Sequence, residues 1–410
     1  MKVLFVCKTK KMEVLGLMYL SAVVKQSGND CKIVTIEEAL AVTKEWKPDM
    51  IGYSILTGDQ HIFKELNETL KSQHKFLAIV GNAHPTFFPK DCEWADCMIR
   101  GEAEEFMAGL LGSTSRYPDL DSIPWADRTD FPDMKIRDFL ASRGCSYGKC
   151  GYCYSSTWER MFPDLPKVRM RSAKDVVKEI ASTDAKFAYF QDSTFGASLK
   201  WLREFSERYQ SVKIPYHAHL RPAQVTEERV RLLSDSNCVS VKIALETASD
   251  RLRGVINRGH TNNEDVYKAA KHLKDKNITL ILQNILGLPT STIEDDLETL
   301  EVNLKTKPAY SWSSIFQPYP ATELAIMCEK EGYYTGDYSE IKDNFFEGSV
   351  LNFTDEHKEQ IACLQRMFDF CVEMQAMPDI KDLTWKSFPK FIHDTMRKKG
   401  DKRMFPNITL

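Results

Sequence analysis

The sequence lacks the features that mark several classes of protein. Its N-terminal apolar run of about five residues is too short for a secretory signal, and no later run approaches the roughly 20 apolar residues of a membrane span. Neither charge sign dominates, because Lys and Arg number 55 against 58 Asp and Glu, for a net charge of -3. A broad positive field for a phosphate backbone is therefore absent. We expect a cytoplasmic protein that binds neither membranes nor nucleic acids.

Cysteine is also sparse, with 11 residues in a chain of 410. This number is too small for a disulfide framework, and thiols stay reduced in the expected compartment. Packing, catalysis and metal binding remain as their uses. The chain is 43% hydrophobic and 11% aromatic, which is enough to form the cores of two or three domains.

Apolar runs alternate with helical patterns in the first quarter of the chain. This alternation predicts a parallel, doubly wound, Rossmann-like domain over residues 1–125. A segment rich in turn-forming residues, from Gly112 to Pro132, is expected to be a linker. The predicted strands are Val3–Val6, Cys31–Ile36, Met50–Ile55, Phe76–Val80 and Cys97–Arg100, and the predicted helices are Leu15–Gln26, His61–Lys71 and Glu104–Leu111.

A second alternation of six strands and helices follows and predicts a partial (β/α)6, TIM-like barrel over residues 126–335. The capping-box pattern that starts at Ser172 marks the start of one of its helices. A C-terminal helical segment, residues 336–410, is expected to form helices over Asp355–Met374 and Leu383–Lys398 that cover the barrel. The predicted barrel strands are Phe139–Ser142, Phe187–Gln191, Pro215–His219, Val239–Ala244, Thr279–Ile285 and Ser311–Gln317.

Three of the cysteines, Cys145, Cys150 and Cys153, fall within nine residues directly after the first predicted barrel strand. Glycines between them let the backbone curl, so that three thiolates on one loop surround a cubane iron-sulfur cluster and leave its fourth iron without a protein ligand. A zinc site or a chance group of reduced thiols are the alternatives. Zinc would need a fourth ligand from elsewhere, such as Cys238 or His219.

Polar residues end each of the later barrel strands, where an apolar strand would simply turn. A single such residue is more often a surface ion pair or a helix cap than a ligand contact. Five polar strand ends in register favour a shared ligand at the mouth of the barrel. The stretches are Phe190–Phe195, His217–Pro222, Ala244–Ala248, Gln283–Pro289 and Phe316–Pro320.

Small and hydroxyl-bearing residues follow three strands of the first domain. They let a large flat ligand approach the backbone at the carboxyl edge of the sheet, where ligands of doubly wound folds bind. Ordinary turn geometry is the alternative explanation. The stretches are Gly52–Gly58, Gly81–Pro89 and Arg100–Glu104.

The cysteine segment and the residues around it resemble the radical S-adenosylmethionine (SAM) superfamily. Arg143, Gly144 and Cys145, with Tyr152 before the last cysteine, are similar to that family's cluster loop, although four residues separate the first two cysteines where three are usual. The resemblance implies a [4Fe-4S] cluster that chelates SAM, reductive SAM cleavage to a 5'-deoxyadenosyl radical, and an electron donor such as flavodoxin or ferredoxin. The implied SAM contacts are Tyr152, Asp192, Arg221, Glu246, Gln283 and Asn284.

The first domain is similar to the cobalamin-binding domain that precedes the radical domain in B12-dependent radical SAM enzymes. Leu15–Leu20, Ser54–Leu56 and Gly81 carry this likeness. The Asp-x-His-x-x-Gly signature is absent and Asn82 replaces a second glycine, so a fold that has lost cobalamin is the competing case. His84 either approaches the corrin or bonds to its neighbours. The implied cobalamin contacts are Leu15, Gly16, Ser54, Leu56, Thr57, Gly58, Gly81, His84, Thr86 and Glu102.

These resemblances imply a cobalamin-dependent radical SAM methyltransferase acting on an unactivated carbon of a small metabolite. Ring closure, rearrangement or oxidation without methyl transfer is the nearest alternative. RNA methylthiolation fits poorly, since the cysteines of the first domain lack the spacing of a second three-cysteine cluster. A non-catalytic metal or cobalamin carrier would not need five polar strand ends facing a cluster.

Overall fold

A computed structural model describes residues 1–399. Internal contacts divide the chain into two compact units. The first unit comprises Met1–Ser146, Met161–Tyr216 and Tyr338–Asp343. The second unit comprises Tyr147–Arg160, His217–Asp337 and the residues from Asn344 onward.

The first unit contains a five-stranded parallel sheet of order β2-β1-β3-β4-β5. Alternate residues of β1 enter two separate cores, Val3 and Phe5 on one face and Leu4 and Val6 on the other. Because both faces are buried, the predicted doubly wound fold is confirmed. The elements are β1 Lys2–Cys7, α1 Leu15–Gln26, β2 Asp30–Thr35, α2 Ile36–Trp46, β3 Met50–Ser54, α3 Gln60–Lys71, β4 Leu77–Gly81, α4 Ala83–Phe87, β5 Cys97–Met98 and α5 Glu104–Leu110.

The segment predicted as a linker contains neither helix nor strand between Leu110 and Ile136, and it lies within the first compact unit. Its apolar side chains nevertheless pack into one of the cores of the first sheet. Leu120, Ile123 and Phe131 are all buried there. The segment is thus held by packing although it has no regular structure.

A six-stranded sheet of order β13-β12-β11-β10-β9-β6 forms the predicted partial barrel. The pairs β6·β9, β11·β12 and β12·β13 are parallel. A separate antiparallel pair of strands, β7·β8, was not predicted. The strands are β6 Ile136–Phe139, β7 Ser142–Gly144, β8 Val168–Met170, β9 Phe187–Phe190, β10 Tyr216–Leu220, β11 Cys238–Glu246, β12 Thr279–Leu286 and β13 Tyr310–Ile315.

Ten further helices accompany these strands, and capping side chains fix several of their starts. Ser172 accepts a hydrogen bond from the Asp175 backbone N–H, as the capping pattern predicts. No helix among residues 1–399 is long and apolar enough to cross a membrane. The helices are α6 Tyr154–Met161, α7 Ala173–Ala181, α8 Leu199–Tyr209, α9 Glu227–Asp235, α10 Asp250–Val255, α11 Asn263–Asp275, α12 Ile293–Thr306, α13 Glu323–Lys330, α14 Asp355–Met374 and α15 Phe388–Lys399.

The C-terminal helices differ in how well the sequence predicts them. Helix α14 has the predicted bounds, and its apolar face forms a core with β13 and α12. Helix α15 begins five residues later than the predicted start at Leu383. Pro389 explains the delay, since proline lacks a backbone N–H and is accommodated only in the first turn of a helix.

A buried network of charges joins Glu13, in the loop before α1, to β6 within the first unit. The Glu13 carboxylate is fully enclosed and pairs with Arg128 and with Arg137, the latter at 2.9 Å. Glu13 also accepts a hydrogen bond of 2.7 Å from the Asp138 backbone N–H. The two guanidinium groups pair in addition with Glu179 and Asp184, so Glu13 shares their charge and anchors a barrel strand.

Candidate cluster and cofactor sites

The cysteine segment begins directly after β7 and ends at the start of α6. None of the three thiols forms a disulfide bond, and Cys150 is buried whereas Cys145 and Cys153 are half-buried. Among residues 1–399, no three His, Cys, Asp or Glu side chains are preassembled as a metal site. The donor chemistry nevertheless fits the cluster, because three cysteine thiols in nine residues supply the soft ligands that iron-sulfur clusters use. These cysteines remain the candidate ligands.

Gly144, the residue before Cys145, is required where β7, paired with β8, leads into the cysteine segment. Its φ is +95°, and an added Cβ would overlap the carbonyl oxygen of Lys167. Residues with a side chain rarely adopt this conformation, so a substitution combines backbone strain with a clash.

We expect Gly144→Ala to lower the free energy of unfolding by about 2–4 kcal/mol, because both penalties apply. Gly28→Ala is the matched control, since Gly28 has φ +74° and an added Cβ there would meet nothing within 4 Å. Its expected cost is about 1 kcal/mol. Urea unfolding of the full chain measures both. Equal losses for the two variants would refute the close approach at Gly144.

Tyr152, Glu246 and Arg258 form a buried group beside Cys150 in the second unit. The Tyr152 hydroxyl donates to Glu246 Oε1 at 2.6 Å. Arg258 Nη1 donates to Cys150 Sγ at 3.6 Å and lies 3.9 Å from Glu246 Oε1. The group therefore links one cysteine to the end of β11.

Glu246 carries an acceptor that no described residue uses. It follows a register shift in β11 and has φ +65°. Its Oε2 is buried and has no hydrogen-bond partner among residues 1–399. Burial raises the pKa of this carboxyl. An unsatisfied buried oxygen is costly, so this atom fits a ligand that donates a hydroxyl or ammonium hydrogen, as SAM does.

Arg258 was not among the residues predicted from the sequence. It follows the short helix α10 and lies at no strand end, which is why the strand-end pattern missed it. Its Nη2 also donates to the Ala244 carbonyl at 2.7 Å. In the sequence, an arginine next to Gly259 is too weak a signal to identify Arg258 as a site residue.

Arg221 and Gln283, two other predicted SAM contacts, are half-buried; Arg221 directly follows β10, whereas Gln283 lies within β12. The Arg221 guanidinium lies 5.5 Å from the centre of the Tyr147 ring and 3.4 Å from His260 Nε2. Tyr147 stacks on His260, with ring centroids 3.7 Å apart. Arg221 thus joins an aromatic group near the cysteine segment, and the structure records no contact that assigns a role to Gln283.

Two predicted SAM contacts are engaged elsewhere. Asp192 is fully buried and accepts from the backbone N–H of Ala141 and the hydroxyl of Ser142, so it supports the approach to the cysteine segment. Burial raises its pKa to about 6. Asn284 is also fully buried and exchanges hydrogen bonds with Asn303 of α12. The Asn284 side chain is thus directed to α12, although the residue is the register partner of Glu246 on the neighbouring strand.

Asp296 lies beneath the loop that follows β12, where it accepts hydrogen bonds of 3.0 and 3.3 Å from the Gly287 backbone N–H. Its burial raises the pKa to about 8. The folded chain therefore holds a proton that the unfolded chain releases near pH 4. The stability that this group contributes is lost as the pH rises from about 4 through about 8.

We expect Asp296→Asn to gain stability relative to the wild type as the pH rises from 5 to 9, by about 2–4 kcal/mol, since the amide has no proton to lose. The gain should level off above pH 8. Urea unfolding across that range measures it. A difference between the two proteins that does not change with pH would contradict the raised pKa.

The loops after β3, β4 and β5, which carry most of the predicted cobalamin contacts, bond to one another. The Asn82 amide donates to Ser54 Oγ at 2.9 Å, and Thr86 Oγ1 accepts from the Gly101 backbone N–H at 3.2 Å. Leu56 is 51% exposed at this edge, so it offers an apolar surface to a flat ligand. Gly81, at the end of β4, is half-buried. These residues fit the approach of a large macrocycle.

His84 is fully buried rather than exposed to a corrin. Its Nδ1 lies 3.1 Å from Thr57 Oγ1, and its Nε2 lies 3.4 Å from Asp91. Burial lowers its pKa. These contacts favour the interpretation of His84 as a residue bonded to its neighbours, although the partners are side chains and not backbone.

Three other predicted cobalamin contacts, Leu15, Gly16 and Glu102, lie outside these loop contacts. Leu15 packs against a core of the first sheet, and Gly16 is exposed on α1. The Glu102 carboxylate is held by Arg143 and Arg169. The structure gives these residues local roles, so their contact with cobalamin stays a prediction.

A covering segment, Tyr338–Asp343, lies on the same edge of the first sheet. Its Tyr338 ring is 4.8 Å from that of Phe88, and Asp343 pairs with Lys8 at 2.6 Å. At Gly58, whose φ is +102°, an added Cβ would lie 2.6 Å from the Lys342 carbonyl oxygen. The glycine that the sequence assigned to cobalamin is therefore needed for this segment to pack.

The chain matches two known protein families. The radical SAM superfamily matches residues 139–302, and the B12 binding domain matches residues 1–111. An uncharacterized methyltransferase of Pyrococcus horikoshii is 24% identical over 367 residues, which cover 76% of this chain and 77% of that protein.

Two further proteins are similar to parts of the chain. The anaerobic magnesium-protoporphyrin IX monomethyl ester cyclase of Rubrivivax gelatinosus is 23% identical over 337 residues, covering 68% of this chain and 58% of the cyclase. The structure of the radical SAM methyltransferase TsrM from Kitasatospora setae has a TM-score of 0.66 and 15% identity, covering 80% of this chain and 76% of TsrM. This likeness concerns the fold. Together the matches establish that the chain belongs to the radical SAM superfamily and carries an N-terminal B12-binding domain.

Proposed function

We propose that this chain is a cobalamin-dependent radical SAM methyltransferase that methylates an unactivated carbon of a small metabolite. The observation that carries the proposal is the arrangement around Cys150. A cysteine of the three-thiol segment accepts a hydrogen bond from Arg258, which also approaches Glu246, and Glu246 keeps one buried oxygen without a partner. A cluster ligand and an acceptor for SAM thus lie side by side.

In this proposal, Cys145, Cys150 and Cys153 hold a [4Fe-4S] cluster. Glu246 Oε2 accepts a hydrogen from SAM, and Tyr152 fixes the carboxylate by donating to its other oxygen. Arg258 stabilises negative charge on the Cys150 sulfur, since its hydrogen bond to that atom is charge-assisted when the thiol is ionised. The bound groups would supply the electron for SAM cleavage and the carrier for the methyl group.

The loops after β3 and β4 would hold cobalamin. Ser54 and Leu56 offer a hydroxyl and an exposed apolar surface at the edge where doubly wound sheets bind ligands. His84 does not serve as a cobalt ligand in this proposal, because its side chain is fully buried and its Nδ1 lies 3.1 Å from Thr57 Oγ1. Cobalamin would therefore bind without a histidine from this domain.

We further propose that the protein works in the cytoplasm and receives electrons from a flavodoxin or ferredoxin. The net charge of -3 supports a small-molecule substrate over a nucleic acid, because it offers no general attraction to phosphates. Ring formation is the second candidate. The similarity to the magnesium-protoporphyrin ester cyclase favours it, although the chain spans 58% of that protein.

Anaerobic reconstitution with iron, sulfide and cobalamin, followed by reduction in the presence of SAM, tests the proposal. Methyl transfer predicts both 5'-deoxyadenosine and S-adenosylhomocysteine as products. 5'-Deoxyadenosine without S-adenosylhomocysteine would replace methyl transfer by cyclisation or oxidation. Bound iron with neither product would contradict the enzymatic proposal altogether.

A further inference from the structure

Lys242 lies in the middle of β11 with its charge unbalanced. The flanking residues Val241 and Ile243 are fully buried, whereas Lys242 is half-buried on the opposite face of the strand. Within residues 1–399, no carboxylate forms an ion pair with it. Burial lowers its pKa, and no acidic group opposes that effect. An ammonium group held this way favours an incoming anion.

An aromatic surface adjoins this ammonium group. The Lys242 Nζ atom lies 5.2 Å from the centre of the Trp312 ring, on β13. Phe345 and Phe346 extend the surface, with ring centroids 6.2 and 5.4 Å from Trp312. Phe346 is 36% exposed. A flat apolar group could therefore reach the surface while an attached anion reaches Lys242.

The neighbouring strand β10 places His217 beside Lys242, but the His217 side chain carries no charge that would compete with the ammonium group. The His217 Nδ1 atom lies 2.7 Å from Ser240 Oγ, two residues before Lys242. Burial lowers the His217 pKa to about 3, so its imidazole is neutral at physiological pH. Lys242 therefore supplies a positive charge on this face of β11 that His217 does not share.

We propose that this face of β11 and β13 binds the substrate, and that the substrate is a small organic anion with a flat apolar portion. Its carboxylate pairs with Lys242 and its flat portion packs on Trp312 and Phe346. A charge-assisted hydrogen bond in a partly buried place is stronger than a neutral one, so the ammonium selects the anion over an uncharged analogue. This inference rests on the proposed function, since it names the substrate class of that reaction.

Binding of 2-naphthoate and of its neutral analogue 2-naphthamide to the reconstituted full chain tests the inference by titration calorimetry. We expect the wild type to bind naphthoate about tenfold more tightly than naphthamide. Lys242→Met should abolish this preference, and Lys242→Arg should keep most of it. Trp312→Leu should weaken the binding of both probes, because it removes the aromatic ring on which their flat portion packs.

Lys268→Met is the matched control, because Lys268 is exposed on α11 and should leave the preference unchanged. Thermal unfolding of each variant confirms that it is folded, and Lys242→Arg keeps the test valid if the methionine variant does not fold. Equal binding of the two probes, no binding of either, or an unchanged preference in Lys242→Met would overturn the inference. The titrations measure binding and need no turnover, so their result does not depend on whether the protein transfers a methyl group.

Discussion

Replacing Cys150 by alanine is expected to remove the iron-sulfur cluster and to reduce SAM cleavage below detection. Two thiols do not satisfy a cluster that depends on three protein ligands. The substitution also removes the sulfur that accepts from Arg258. Iron and acid-labile sulfide analysis, the visible absorption of the anaerobic protein and the yield of 5'-deoxyadenosine measure the loss.

Cys97→Ala is the matched control for that substitution. Cys97 is a half-buried free thiol on β5, outside the three-cysteine segment. We expect this variant to keep the iron content and the SAM cleavage of the wild type. Full iron content in Cys150→Ala, or an equal loss in both variants, would show that the segment is not the cluster ligand.

Glu13→Ala is expected to cause the largest loss of stability, about 3–5 kcal/mol, because it removes an enclosed carboxylate that two buried guanidinium groups share and leaves them only their contacts with Glu179 and Asp184. Arg128 and Arg137 both pair with Glu13. The substitution also deprives the Asp138 backbone N–H of its acceptor. Urea unfolding of the full chain measures this loss.

Glu45→Ala provides the comparison for Glu13→Ala. Glu45 is exposed on α2, so its removal should change stability by less than about 0.5 kcal/mol. A loss below about 1 kcal/mol in Glu13→Ala would mean that Glu179 and Asp184 suffice as partners of the two arginines, and the role of Glu13 as an anchor of β6 would be wrong.

Much of the fold follows from local sequence patterns. Apolar runs of strand length alternate with amphipathic helices, and this alternation places the strands of both sheets within a few residues of their observed bounds. Helix α14 is predicted to the residue, because its apolar positions repeat over 20 residues and Thr354 caps its start. Long periodic elements carry enough signal to be located without tertiary information.

Short elements are harder to predict, as the antiparallel pair of β7 and β8 illustrates. Each strand has three residues, and 23 residues separate Gly144 from Val168. No periodicity develops over three residues, and a pairing between segments this far apart depends on the surrounding fold. The first predicted barrel strand, Phe139–Ser142, lies too late in the chain for the same reason, since β6 ends at Phe139 and Ser142 belongs to β7.

Side chains alternate between the two faces of a strand, and this rule alone shows that two of the predicted SAM contacts do not face the same site. Gln283 and Asn284 are neighbours on β12 and therefore point to opposite faces. Asn284 bonds to Asn303 on the helix side. The role of Arg258, by contrast, depends on the loop after α10 returning to Ala244, which no local pattern reveals.

The central claim is that three cysteines hold a cluster with one iron open to SAM. Electron paramagnetic resonance of the anaerobically reconstituted and reduced protein, recorded with and without SAM, tests it most directly. The account predicts the signal of a reduced [4Fe-4S] cluster whose line shape changes when SAM is added. A protein without that signal, or a signal that SAM leaves unchanged, would contradict the account.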